Sequence, residues 1–159
     1  MTTFHCALLI SAIFASATAF GADTKSASPE DFIRSLYQFH QPGKETPDWF
    51  GDRNTLSKYF DQNLTDLFLK DEECAKREEG ICNLDFDPIY DAQDFDKETT
   101  NLKVAAVTNQ HDWFSVTFTN LGTRTLVYKL TNTSEGWRIS DIKYPEGPSL
   151  KEILSREIK

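Results

Sequence analysis

The hydrophobic pattern changes period once along the chain. From residue 28 to residue 80 apolar side chains recur every three to four positions, the spacing of helices with one buried face. From residue 102 to residue 144 they recur every second position, the spacing of half-buried strands. In SPEDFIRSLYQFHQPG, which starts at Ser28, the residues Phe32, Ile33, Leu36, Tyr37, Phe39 and His40 form one broad side. Ser28 suits the N-cap, Pro29 the first helical position, and Glu30 and Asp31 the positive end of the helix dipole. Pro42 and Gly43 stop this helix. After a connector carrying Trp49 and Phe50 as plugs over the core, Leu56, Tyr59, Phe60, Leu64, Leu67 and Phe68 keep helical phase. They predict a short helix and then a longer one, with Asn63 able to cap the second and Gly80 ending it.

Four strands are predicted at 102–108, 113–119, 125–131 and 136–144. The stretches between them, NQHD, NLGTR and NTSEG, have hairpin-turn lengths and residues. Phe114, Val116 and Phe118 share one face, as do Leu126, Tyr128 and Leu130. Ile139 and Ile142 break the alternation and predict a bulge near Ser140 and Asp141. Ser149 opens a short amphipathic helix. The expected fold is α+β: N-terminal helices packed on a curved antiparallel sheet of about four strands, as one domain over residues 28–156.

Ahead of that domain, residues 1–22 hold an apolar run from Cys6 to Ala15 followed by small residues. This reads as a signal peptide, too short to span a bilayer, with a buried N-terminal helix as the alternative. The protein is then expected to be periplasmic or secreted, with no membrane segment once the leader is cut. Two cysteines remain, Cys74 and Cys82. An even count in an exported chain points to a disulfide; free thiols are the other reading, and the C-x7-C spacing is not one that binds zinc.

Charge sharpens the picture. The net charge is −8. Residues 71–98 hold eleven Asp or Glu against three Lys or Arg, so this segment accounts for the whole excess. The sign disfavours nucleic acid and anionic membranes as partners. A cationic partner would be attracted.

Within the segment, NLDFDPIYDAQDFD (83–96) invites comparison with a calcium loop. Ile89 fails the third ligand position, Tyr90 stands where glycine is required, and Asp96 replaces the final glutamate. No metal or cofactor is implied. Nucleophilic catalysis has no G-x-S-x-G to support it, and beyond the leader only His40 and His111 are histidines. His111 is expected in a hairpin turn and His40 at the end of the first helix. An acid–base pocket could draw on Tyr37, His40, Tyr90, Trp113, Tyr128 and Trp137.

Three stretches carry a family resemblance: FIRSLYQFH followed by LSKYFDQNLTDLF, then DPIYDAQD (87–94), then GWRISDIKYPEGPSLKEIL. Together they resemble the exported bacterial family known as domain of unknown function 3828. The resemblance implies the cone-shaped α+β fold of nuclear transport factor 2-like proteins. The family's D-P-x-x-x-x-Q-D pattern falls on Asp87, Pro88, Gln93 and Asp94, which are expected to hold the loop, with Phe86, Ile89 and Phe95 pinning it. Asp85, Asp91 and Asp96 are then left to face water or a partner. Many relatives are lipoproteins, and this chain lacks their acylated cysteine.

The cone hosts enzymes and binding modules alike, so the fold does not select the function. The expected function is an exported, non-enzymatic binding or interaction domain of unknown ligand. One form is an immunity-type protein that meets a cationic partner through the acidic segment 71–98. The alternative is a small-molecule isomerase, dehydratase or hydrolase using an acid–base pocket between helices and sheet.

Overall fold

The computed structural model describes residues 27–41, 49–94, 96 and 98–157; the expected leader (1–22) and Phe95 lie outside the described residues. Its elements are α1 (Pro29–Phe39), α2 (Arg53–Tyr59), α3 (Gln62–Arg77), β1 (Thr100–Val107), β2 (Gln110–Thr119), β3 (Thr123–Thr133), β4 (Gly136–Lys143) and α4 (Leu150–Leu154). The strands form one antiparallel sheet in the order β1-β2-β3-β4. The architecture is α+β. Helical cover comes from both ends of the chain, since α4 contributes buried Leu150, Ile153 and Leu154.

Local chemistry sets the helix boundaries. The Ser28 hydroxyl accepts from Asp31 N at 3.1 Å, and Pro29 occupies the first turn. Ile33, Leu36 and Tyr37 follow as the buried stripe. Removing an aliphatic side chain such as Ile33 or Leu36 from water contributes about 2 kcal/mol. Asp52 caps α2 through Asn54 N and Thr55 N. Asp61, not Asn63, caps α3, with its carboxylate accepting from Leu64 N at 2.8 Å. Asn63 lies exposed one residue inside the helix. Ser149 and Glu152 close a capping box on α4.

Strand alternation puts Phe114, Val116, Phe118, Leu126, Tyr128 and Leu130 in the core. Lys129 pairs with Asp141 and Leu130 with Ile139, so Ser140 is the extra residue of a bulge that returns both isoleucines to the buried face. His111 lies inside β2, exposed, rather than in the turn; the turn is the tighter pair Thr108 and Asn109, with Asn109 in the left-handed region at φ 61°. The helix-to-helix junction closes one sheet edge: Phe60 bridges Ile139, and Asp61 N donates to Ile139 O at 2.9 Å.

Cys74, buried on α3, and Cys82 lie at disulfide distance, with Cα atoms 6.1 Å apart. The loop they close is short, so reduction is expected to lower stability by only about 2 kcal/mol. Thermal melts with and without reductant check this, and an unchanged melting temperature would contradict it.

Candidate functional site

The chain end of α1 and the loop 87–92 meet in the core, and the junction begins with backbone groups that no regular element satisfies. At its C-cap, His40 N still donates to Leu36 O, but the His40 carbonyl is left over. The Tyr90 hydroxyl donates to it at 2.6 Å. The Tyr37 hydroxyl donates to Ile89 O at 3.0 Å, and the Tyr144 hydroxyl to Pro88 O at 3.3 Å. Three tyrosines thus serve three stray carbonyls, which makes it possible to bury an irregular loop.

Asp87 organises that loop. Its Oδ1 accepts from Ile89 N at 2.8 Å and from Tyr90 N at 3.3 Å, while its own N–H donates to Ala92 O at 2.9 Å. Pro88 fixes its own φ and has no N–H to satisfy. Oδ2 remains for His40 Nε2, at 2.5 Å. On the other side of the ring the Trp49 indole N–H donates to His40 Nδ1 at 3.2 Å. An indole can only donate, so Nδ1 accepts and the ring proton sits on Nε2, aimed at Asp87. Trp49 is held in turn between Phe50 at 4.4 Å and Phe60 at 5.9 Å, ring centre to ring centre.

Tyr37 and Tyr128 meet hydroxyl to hydroxyl at 3.0 Å. Tyr37 gives its proton to Ile89 O, so Tyr128 is the donor to Tyr37. Burial pushes the Tyr37 hydroxyl well above the ordinary tyrosine range, with the neighbouring Tyr128 adding to the shift. Burial also raises Tyr128, and it pushes Tyr90 up to about 12. Groups raised in the fold contribute stability that is intact below the unfolded value near 10 and is lost as pH climbs through the folded values. In an alkaline titration followed by tyrosinate absorbance, these hydroxyls are therefore expected to ionise only as the protein unfolds, above about pH 10. Ionisation of all five tyrosines (Tyr37, Tyr59, Tyr90, Tyr128 and Tyr144) at the ordinary value in folded protein would contradict the network.

Four of the six expected pocket residues therefore come together: Tyr37, His40, Tyr90 and Tyr128. Trp113 does not join them. It lies on the opposite sheet face from Phe114, with the Lys143 ammonium 4.0 Å and the Lys129 ammonium 5.6 Å from its ring centre. Trp137 lies at the far end of β4, donating to Ala27 O at 3.1 Å. Phe118 packs against the network, its ring centre 5.5 Å from Tyr37 and 5.6 Å from Tyr90. A cleft of about 400 Å³ opens beside it, between α1 and β1, lined by Arg34, Tyr37, Gln38, Gln41, Glu98, Thr99 and Leu102. Of the four network residues only Tyr37 reaches the cleft, and its hydroxyl bonds point inward.

The carboxylates of 71–98 sort differently from expectation. Asp91 does not face water freely. It is partly buried, takes φ 51°, and pairs with Arg124 at 3.2 Å. Burial still raises its carboxyl, with Arg124 opposing. Asp94, expected beside Asp87 as a loop holder, is exposed and accepts no hydrogen bond among the described residues. Gln93 is exposed too, its amide 3.5 Å from Asp85. Phe86 stacks edge-on to Tyr144 at 5.3 Å, and Ile89 is fully buried. Asp71 is the residue that sequence reasoning missed. It is buried on α3, and its carboxylate accepts from Asn83 N at 2.8 Å and Leu84 N at 3.3 Å. Its signal was its phase, seven positions after Leu64 on the buried stripe.

Among the described residues no cluster of His, Cys, Asp or Glu is disposed to hold a metal ion, and no helix is long and apolar enough to cross a membrane. No family model, no curated protein and no solved structure matches this chain.

Proposed function

We propose that this protein is an exported, non-enzymatic binding domain of the cone-shaped nuclear transport factor 2-like type, which meets a cationic protein partner through the loop after α3. The leader expected at residues 1–22 and the cysteine pair at bonding distance support an oxidising, periplasmic or extracellular setting.

The division of labour among the carboxylates carries the reading. Asp71 and Asp87 are consumed by backbone and histidine, and Asp91 by Arg124. Glu79, Asp85, Asp94, Asp96 and Glu98 are exposed and carry no ion pair among the described residues. A concentrated field of this kind speeds encounter with a basic surface and fades with salt.

An acid–base enzyme is the second reading, favoured by the buried His40–Asp87 pair. Closure of that pair onto Trp49 and the loop backbone supports a structural role instead.

The test uses the purified protein as bait on the exported fraction, then titration of the captured partner after its own purification. The expected partner is basic. Its Kd should rise about tenfold or more between about 0.05 and 0.5 M salt, and again when Asp85, Asp94 and Asp96 are changed to asparagine. A partner indifferent to both would overturn the reading, as would turnover of a small molecule abolished by His40→Phe.

A further inference from the structure

We propose that the open edge of β1, with the cleft beside α1, is a docking site for an extended peptide segment of another protein. The segment adds to the sheet as a further strand and sends a carboxamide side chain into the cleft. The inference is separate from the acidic-segment reading and shares only Glu98 with it.

The two edges of the sheet are treated differently. At the β4 edge Phe60 bridges Ile139, and Asp61 N donates to Ile139 O. β1 is the other edge, and among the described residues no strand or bridge pairs with its outer side. From α1, Arg34 Nη1 donates to Leu102 O at 3.2 Å, so that carbonyl points away from β2. Backbone direction alternates along a strand, which turns the N–H and C=O groups of Val104 and Ala106 outward as well. Outside the sheet these groups bond to no described residue. The strand is eight residues long, and residues 104–107 hold neither charge nor proline. Lys103 aside, the usual guards of an exposed edge are missing there. Ala106 pairs with buried Phe114 yet is itself exposed, so the core-side flank of this edge is uncovered.

An outward N–H and C=O at every second residue fits another extended backbone. The cleft adds selectivity, because Leu102 belongs both to the edge and to its lining. Its volume of about 400 Å³ accommodates one side chain with room to spare. Arg34 and Glu98 both line it, and Arg34 makes no ion pair among the described residues. The side chains of Glu98, Gln38 and Gln41 have no hydrogen-bond partner there either. A carboxylate entering the cleft would meet Glu98, and an ammonium would meet Arg34. A carboxamide serves both: its oxygen accepts from the guanidinium and its amide N–H donates to the carboxylate.

Side chains of a strand share a face at every second position. An apolar residue two positions from the carboxamide therefore falls beside Val104 and Ala106. β1 of a second copy lacks this pattern, since its one carboxamide, Asn101, has Thr99 and Lys103 two positions away. Two copies would also bring together chains of net charge −8 each.

The probe is a capped hexapeptide, Thr-Val-Thr-Gln-Thr-Val, titrated into nitrogen-15-labelled protein. The expected result at millimolar peptide is a shift of the Val104 and Ala106 amide signals and slower exchange of their protons with water. The same peptide N-methylated at every residue should not bind. Ala106→Pro removes only an outward N–H, so it should abolish binding while the melting temperature stays within about 3 °C of wild type. Replacing the peptide's glutamine with glutamate should raise Kd about tenfold, and Glu98→Gln in the protein should restore it. A cleft that played no part would not show this exchange of preference.

No shift at β1, binding that survives full N-methylation, or equal affinity for the glutamine and glutamate peptides would each overturn the proposal. So would shifts at β1 that follow protein concentration without peptide, which would put a second copy at the edge. If Ala106→Pro does not fold, the comparisons among peptides still decide.

Discussion

Changing Asp87 to alanine is expected to cost about 4 kcal/mol, a large share of the 5–15 kcal/mol that holds a domain folded. Three donors lose their acceptor at once: Ile89 N, Tyr90 N and His40 Nε2. Each buried donor left unsatisfied costs about 1–3 kcal/mol. The asparagine variant is no full rescue. Its Oδ1 can keep the two backbone bonds, but its amide N–H then faces the N–H on His40 Nε2. The histidine escapes only by moving that proton to Nδ1, where it meets the indole N–H of Trp49. Asp87→Asn should therefore still cost about 2 kcal/mol. Denaturant melts of both variants measure this. A loss under about 1 kcal/mol for alanine would mean that the loop holds without its aspartate.

Asp71→Ala is the second large effect, at about 3 kcal/mol. Asn83 N and Leu84 N lie where the chain leaves the cysteine loop, and the Asp71 carboxylate is their acceptor. Asp71→Asn keeps one acceptor and turns an N–H toward the other donor, so about half the loss should remain. Neutralising the exposed Asp94 or Asp96 should stay within about 0.5 kcal/mol. Equal, small losses at Asp71, Asp94 and Asp96 would mean that the acidic segment is uniformly solvated.

These two aspartates also show how far the sequence could be read. Ser28 and Pro29, the alternation of Phe114, Val116 and Phe118, and the broken step at Ile139 and Ile142 each encode a local rule, and local rules survive folding. The same alternation already placed Trp113 on the face opposite Phe114, which the grouping of aromatic residues into one pocket overlooked. The helical phase of Leu64 and Phe68 already marked Asp71 as inward, but composition hid it among exposed neighbours. Asp61 and Asn63 are both good caps by residue type; the one used is Asp61, whose carboxylate accepts from Leu64 N.

Other features were not legible at all. The pairing of Asp91 with Arg124 spans 33 positions, and the clip from Asn120 to Asp96 spans 24. Contacts at such separations are decided by topology. So is the meeting of three residues that the sequence presents separately, His40 as an acid–base candidate, Trp49 as a plug over the core and Asp87 as a loop holder; their mutual saturation was not visible.

That saturation is the central claim: His40, Asp87 and Trp49 are closed on one another as a joint, and the proposed function assigns binding to the exposed carboxylates instead. Nitrogen-15 NMR of the His40 ring in the folded protein tests it most directly. The account predicts a single tautomer, with the proton on Nε2, protected from exchange with water, and with Nδ1 accepting a hydrogen bond. A ring populating both tautomers, or one whose Nε2 proton exchanges freely with water, would contradict it and return His40 to the role of a proton carrier.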